Sequence, residues 1–155
     1  KPVRQWSKAR PGSRLEVPPR ARVWLAFVGG GQAMVEGAAR LTFEKAGREG
    51  VVMAVGRFLA NLSRPRGRFT VATRSVVATI RGTEFFVEAV GPQESYVCAC
   101  AGKLDVTAAG GFRASIEGTH HRAFRFTRAG ESILQTEAGL ERHSDEDLAT
   151  LRAPR

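Results

Sequence analysis

Apolar residues in this chain come in short runs that end in glycine or in small polar clusters, and within several runs they alternate with polar residues. Leu41-Thr42-Phe43-Glu44 and Leu104-Asp105-Val106-Thr107 show the two-residue period of a strand with one buried face. Read on this basis, strands are predicted at Val23–Phe27, Gln32–Glu36, Ala39–Phe43, Val51–Leu62 (with Gly56 inside it), Phe69–Thr73, Val76–Ile80, Glu84–Val90, Tyr96–Cys100, Lys103–Ala108, Phe112–Glu117 and Arg122–Phe126. Turn signals recur at roughly eight- to twelve-residue intervals, the rhythm of a sandwich, barrel or short solenoid.

A helical period is expected at the C-terminus alone. There Ser144 is placed as an N-cap before Asp145-Glu146-Asp147 and Leu148–Arg152, the acidic residues suit the positive end of a helix, and Asp147 is an imperfect capping-box partner. Without alternating helices a parallel α/β sheet is excluded. The fold expected is all-β, an antiparallel two-sheet sandwich or short β-solenoid-like body with one short C-terminal helix. Its parts are a basic lead-in over 1–12, the β domain over 13–143, and the helix and tail over 144–155.

The 155 residues suffice for one domain with its own core, and 43% hydrophobic with 25% charged residues is a globular composition. The longest uncharged stretch near the start, Val23–Val35, contains Gly29-Gly30-Gly31 and is too short to cross a bilayer. The chain opens at Lys1 with no basic-then-apolar leader, so the expectation is that either the sequence is a trimmed piece or a targeting segment was already removed. Net charge is +9, and it is lopsided: residues 1–81 hold 16 basic and 4 acidic side chains, residues 82–155 hold 8 and 11. That imbalance raises nucleic acid or an anionic polymer as a partner. Yet 20 of the 24 basic residues are Arg, a skew that a GC-rich genome produces unaided.

The segment Phe69–Val90, FTVATRSVVATIRGTEFFVEAV, followed by YVCACAGKLDV at Tyr96–Val106, resembles the FecR-like domain of bacterial envelope proteins. The core of the likeness is a small-apolar strand, Arg81-Gly82-Thr83, the strand Phe85-Phe86-Val87, and a later strand reaching Gly102. Upstream, LEVPPRARVWLAFVGGGQAMVEGAARLTF (Leu15–Phe43) is similar to that family's opening, and the resemblance spans about residues 13–108. It implies an all-β periplasmic or extracellular module without enzymatic activity, of the kind found in anti-sigma regulators of iron uptake, whose partner is an envelope protein or polymer. The regulators' sigma-binding segment, membrane span and long C-terminal extension are not among these 155 residues.

The two cysteines, Cys98 and Cys100, and the three histidines, His120, His121 and His143, all fall in one half of the chain. On a strand, residues i and i+2 share a face, so both sulfurs can converge on one ion. A disulfide between them is disfavoured, because i and i+2 sit at or beyond the roughly 4.4–6.8 Å Cα spacing a bridge tolerates. Free thiols are unusual in an oxidising compartment, a tension that metal ligation would resolve. His120 and His121 on the following strand would point to opposite faces, leaving one of them for the thiolates, with His143 coming from the loop before the helix. The set expected is Cys2His2, or Cys2His with an open position. Zinc fits a closed site of this kind best, while copper, iron or a haem group use the same donors. The competing accounts are that the cysteines are small core residues and the histidines surface groups, or that the thiols form a redox pair.

Other chemistry is poorly supplied. A cysteine–histidine nucleophile lacks a glycine-rich helix N-terminus for an oxyanion. Glu84 and Glu88 share a strand face with even spacing, which marks a solvated face rather than an acid–base pair. Arg64-Pro65-Arg66-Gly67-Arg68 with Phe69, and Arg57-Phe58, resemble a small arginine-and-aromatic nucleic-acid surface, but no recognised binding motif accompanies them, and Trp24 and Phe27 are assigned to the core. Asn61-Leu62-Ser63 matches a glycosylation acceptor in its three letters only. The function expected is therefore a non-enzymatic exported binding or sensing module carrying a Cys/His metal site. The alternatives are a metal- or haem-binding redox or storage protein, and a basic surface for an anionic polymer.

Overall fold

The computed structural model describes residues 7–44, 49–62 and 68–152. Among these, the strands in chain order are β1 (Arg14–Val17), β2 (Arg22–Ala26), β3 (Gln32–Phe43), β4 (Glu49–Asn61), β5 (Phe69–Ala72), β6 (Val77–Ile80), β7 (Glu84–Gly91), β8 (Glu94–Ala108), β9 (Phe112–Gly118), β10 (Arg122–Ala129) and β11 (Ser132–Ala138); the helix α1 spans Asp145–Arg152. No helix among the described residues is long and apolar enough to cross a membrane.

Two long strands close the sheet on itself. The first residues of β4 pair in parallel with β5, while Gly56–Asn61 pair antiparallel with β7. The first half of β8 lies between β7 and β10, and its second half between β6 and β9. Because β5 also pairs with β6, the circuit β4-β5-β6-β8-β7 returns to β4. The β4–β5 pair is the parallel exception in an otherwise antiparallel arrangement. Each long strand must bend where it changes partners, and glycine stands at both places: Gly56 at φ 124° and Gly102 at φ 116°. A β-carbon at Gly56 would strike Ala39, and at Gly102 it would come within 2.9 Å of Thr83 Oγ1.

The sheet is buried on both faces where the candidate site lies. One cross-strand row, Val35–Phe58–Val87–Val97–Phe124, points into the closed body and joins its main core. The adjacent row, Met34–Leu59–Phe86–Cys98–Ala123, points outward and is buried under the C-terminal segment, with Leu148 and Leu151 of α1 completing a second cluster. Two-sided burial explains why residues 85–87 of β7 and 96–101 of β8 read as continuous apolar runs.

The next outward row, Glu36–Arg57–Glu88–Tyr96–Arg125, is ionic. Arg57 bridges Glu36 (3.6 Å) and Glu88 (3.1 Å), and Arg142 from the C-terminal segment adds a 2.6 Å contact to Glu88. Glu84 is held by Arg152 of α1 at 2.6 Å. The expectation of a solvated face for Glu84 and Glu88 is thus corrected: both are buried, since the strap formed by residues 139–152 covers their face and brings arginines to them.

Three further expectations change. Gln32–Glu36 and Ala39–Phe43 are one strand, as are Tyr96–Cys100 and Lys103–Ala108, because a bend at a bulge or glycine does not end the ladder. Strands β1 and β11 were not expected; β11 is a polar edge with Leu134 exposed, so it carries little alternation. Trp24, assigned to the core, is 41% exposed on the short strand β2, whereas Phe27 does pack against the core.

Candidate functional site

The site is assembled from β8, the β9–β10 turn and the strap. Cys98 and Cys100 alternate with Val97 and Ala99, so both sulfurs leave the outer face of β8, 3.8 Å apart and buried. The sequence places His120 and His121 on a strand, but they occupy the turn between β9 and β10. The His121 amide donates to the Cys100 carbonyl (3.1 Å), and a left-handed φ of 52° turns its side chain toward the thiols. That conformation is uncommon outside glycine, although histidine adopts it more readily than most residues. Arg142 is likewise left-handed at φ 54°, which lets its guanidinium reach Glu88 while the next residue, His143, turns inward.

The result is a compact donor set. Cys98 Sγ lies 3.8 Å from His121 Nδ1, and Cys100 Sγ lies 3.4 Å from His143 Nε2. One donor atom from each of Cys98, Cys100, His121 and His143 falls within 4.8 Å of every other. Four of the five sequence-predicted residues are therefore brought together. The fifth, His120, is not: its side chain is 70% exposed and pairs with Asp145 through Nε2 at 2.9 Å.

Neighbours determine which histidine nitrogens are free. The Glu141 carbonyl can only accept, so at 2.7 Å it fixes the proton of His143 on Nδ1 and turns a lone pair on Nε2 toward Cys100. The Asp145 carboxylate at 2.7 Å does the same for His121, taking the Nε2–H and leaving Nδ1 for Cys98. The His143 ring is stacked on Phe86, with centroids 4.2 Å apart, and faces the edge of Tyr96. Tyr96 in turn donates its hydroxyl to the Gly139 carbonyl (2.6 Å) and accepts the Glu141 amide (3.1 Å), clamping the stretch that carries His143. Asp145, Tyr96 and Glu141 are supporting residues that sequence reasoning missed. Asp145 alone left a signal, as a carboxylate at the start of the predicted helix.

The thiols are electrostatically unequal. Cys98 is pulled well below the usual thiol range by the S–H that Cys100 donates to it, against the cost of burial, with help from His143 and His121. Cys100 is correspondingly pushed up by that hydrogen bond and by burial. Burial opposes protonation of His121, yet Asp145 and the Cys98 sulfur outweigh it and raise its pKa. Asp145 is lowered by the hydrogen bonds from His121 and His120. The order Asp145–His121–Cys98 is that of an activated nucleophile, but Cys98 has 0% exposed surface, so no substrate reaches its sulfur in this conformation.

The remaining sequence candidates lie apart. Arg64, Pro65, Arg66 and Gly67 are outside the described residues, and Arg57 is engaged by Glu36 and Glu88. Asn61 is buried and unavailable for glycosylation. A groove of about 590 Å³ at β1 and the β3–β4 bend is lined by residues including Arg14, Glu16, Arg40 and Val55 and holds none of the cysteines or histidines.

No family model matches the chain, and no curated protein sequence is detectably similar to it. Among solved structures, the chain is similar to a "putative anti-sigma factor" from Parabacteroides distasonis ATCC 8503, in crystal structures at 1.65 and 2.50 Å resolution, with TM-scores of 0.67 and 0.66 and 16% identity in each. The match covers 81% of this chain and 59% of each of those chains, so the likeness is to part of a longer protein. At that identity it is a likeness of fold: this chain has an all-β architecture of the type those anti-sigma factor structures contain.

Proposed function

We propose that this chain is a non-enzymatic, exported sensing module of the FecR-like type, in which Cys98, Cys100, His121 and His143 bind one zinc ion that fastens the C-terminal strap to the sheet. One observation carries the metal reading. With Zn–S near 2.3 Å and Zn–N near 2.0–2.1 Å, a tetrahedral ion separates two sulfurs by about 3.8 Å and a sulfur from a nitrogen by about 3.6 Å. The corresponding separations are 3.8 Å for the sulfur pair and 3.8 and 3.4 Å for the two sulfur–nitrogen pairs. Cysteines serving merely as core residues need no imidazole nitrogen aimed at them, yet each of the two histidines is held with a ring nitrogen toward a sulfur.

The donors' proximity leaves space for an ion and not for a porphyrin, which favours a bare metal over haem. Both histidines also have the hydrogen-bonded outer partners typical of metal ligands. The sensing role is supported by the fold shared with the anti-sigma structures, and the exported location by the FecR-like resemblance at Arg81-Gly82-Thr83. Fractionation of the host is its check, with the mature chain expected outside the cytoplasm. A partner protein or polymer of the envelope completes the reading.

The test is elemental analysis of protein purified without added metal. One zinc per chain is expected in the natural sequence and a large loss in the Cys98→Ser/Cys100→Ser variant; equal content in both rejects the site. Copper or iron in place of zinc would keep the site and redirect it to redox chemistry, since soft thiolate–imidazole sets also suit those ions.

A further inference from the structure

His120 is left over from the buried set, but it is not idle. Its Nε2 lies 3.0 and 2.9 Å from the two carboxylate oxygens of Asp145. Asp145 Oδ1 is also 2.7 Å from His121 Nε2, the nitrogen facing away from the cysteines. His120 Nε2, His121 Nε2 and an Asp145 oxygen thus form a second group whose donor atoms lie within 4.8 Å of one another. The His120 and His121 rings are 4.6 Å apart and tilted by 59°, so both nitrogens address one carboxylate from different directions.

We infer that His120, His121 and Asp145 form a second site for a first-row divalent metal ion, open to solvent and sharing the His121 ring with the buried site. Two imidazole nitrogens and a carboxylate are the borderline donors that Ni²⁺, Cu²⁺ and Zn²⁺ prefer, and three protein ligands leave positions for water or an anion. The side chains of His120 and Asp145 are 70% and 61% exposed, so an ion here meets bulk solvent, whereas the cysteine pair is buried. A closed inner site and an open outer one correspond to the difference between an ion that holds a fold and one that exchanges.

The sharing has a chemical consequence. In the absence of an outer ion, Nε2 of His121 donates its proton to Asp145. With an ion at each site, His121 would give up that proton to water and its one ring would serve both ions. The inference rests on the inner reading at this point: an inner ion fixes the His121 ring so that its outer nitrogen is pre-aimed. Occupancy of the outer position thereby becomes coupled to the strap, because Asp145 is the first residue of α1.

The test uses the zinc-loaded natural chain titrated with Ni²⁺, followed by calorimetry, by elemental analysis and by absorption in the thiolate-to-nickel charge-transfer region. The expected result is one bound Ni²⁺ per chain, no charge-transfer band and no loss of zinc. In His120→Ala the nickel affinity should fall at least tenfold while the zinc content stays. Asp145→Asn should weaken both ions, since it also removes a partner of a buried ligand. Absence of nickel binding, binding undiminished by His120→Ala, displacement of zinc, or a thiolate band would each overturn the outer site. Failure of the inner reading shows separately, as purified protein that contains no metal at all.

Discussion

At the scale of single residues, the site depends as much on what holds its ligands as on the ligands. Tyr96 touches no donor atom of the site through its hydroxyl, yet that hydroxyl joins Gly139 and Glu141, four and two residues before His143. Burial raises the Tyr96 pKa, so the phenol stays protonated and keeps its donor role across the working pH range. Tyr96→Phe leaves the Glu141 amide and the Gly139 carbonyl short of a partner, and the cost expected is about 1–3 kcal/mol in chemical denaturation. Loosening the outer shell should also lower zinc affinity roughly tenfold or more in a competition titration with a chromophoric chelator. Full affinity in Tyr96→Phe would mean that the strap is positioned by its arginines alone. His120→Ala, by contrast, should leave thermal stability nearly unchanged, because its pairing with Asp145 is exposed.

At the scale of elements, α1 shows how local signals and packing combine. Ser144 caps it as expected: the Asp147 amide donates to Ser144 Oγ at 3.1 Å, and Ser144 Oγ donates back to Asp147 Oδ2 at 3.0 Å. Ser144→Ala should cost about 1 kcal/mol. Leu151→Ala removes a buried side chain from the outer cluster and should cost about 2–4 kcal/mol, both read from denaturant midpoints. Legibility follows the same division. Strands with one or two buried faces were readable, as was a capped helix, because each leaves a period or a fixed spacing in the chain. The cysteine pair was readable as a shared face. The turn position of His121 was not, since it depends on a left-handed backbone, and neither was the burial of Glu84 and Glu88, which depends on arginines 68 and 54 residues away. The bends are a further case: Gly56 was visible inside a strand, but its role appears only when β4 is seen to pair with both β5 and β7. Gly56→Ala should sharply reduce soluble yield, since the added carbon meets Ala39 at a backbone angle that alanine avoids.

At the scale of the whole molecule, the sheet has two cores of different character. The closed body buries a large apolar set, including Phe58, Phe69, Phe85 and Phe126, whose strands pair with one another and to which no strap residue belongs. The outer cluster is small, and its cover is joined to the sheet by the Leu148 and Leu151 contacts, the ion pairs to Glu84 and Glu88, the Tyr96 clamp and the Cys/His set. A bound ion adds binding free energy to the folded form and none to an unfolded strap, so chelation should lower the unfolding temperature. The loss should also be local. In hydrogen exchange followed by mass spectrometry, stripping the metal should speed exchange in 139–152 and in the His120–His121 turn, while Val35, Phe58, Val87 and Val97 in the closed body stay protected. The Cys98→Ser/Cys100→Ser variant, with or without chelator, should match the stripped protein. Uniform loss of protection across both cores would show instead that the strap and the closed body unfold as one unit, and would reject a metal-controlled cover that opens the outer face independently.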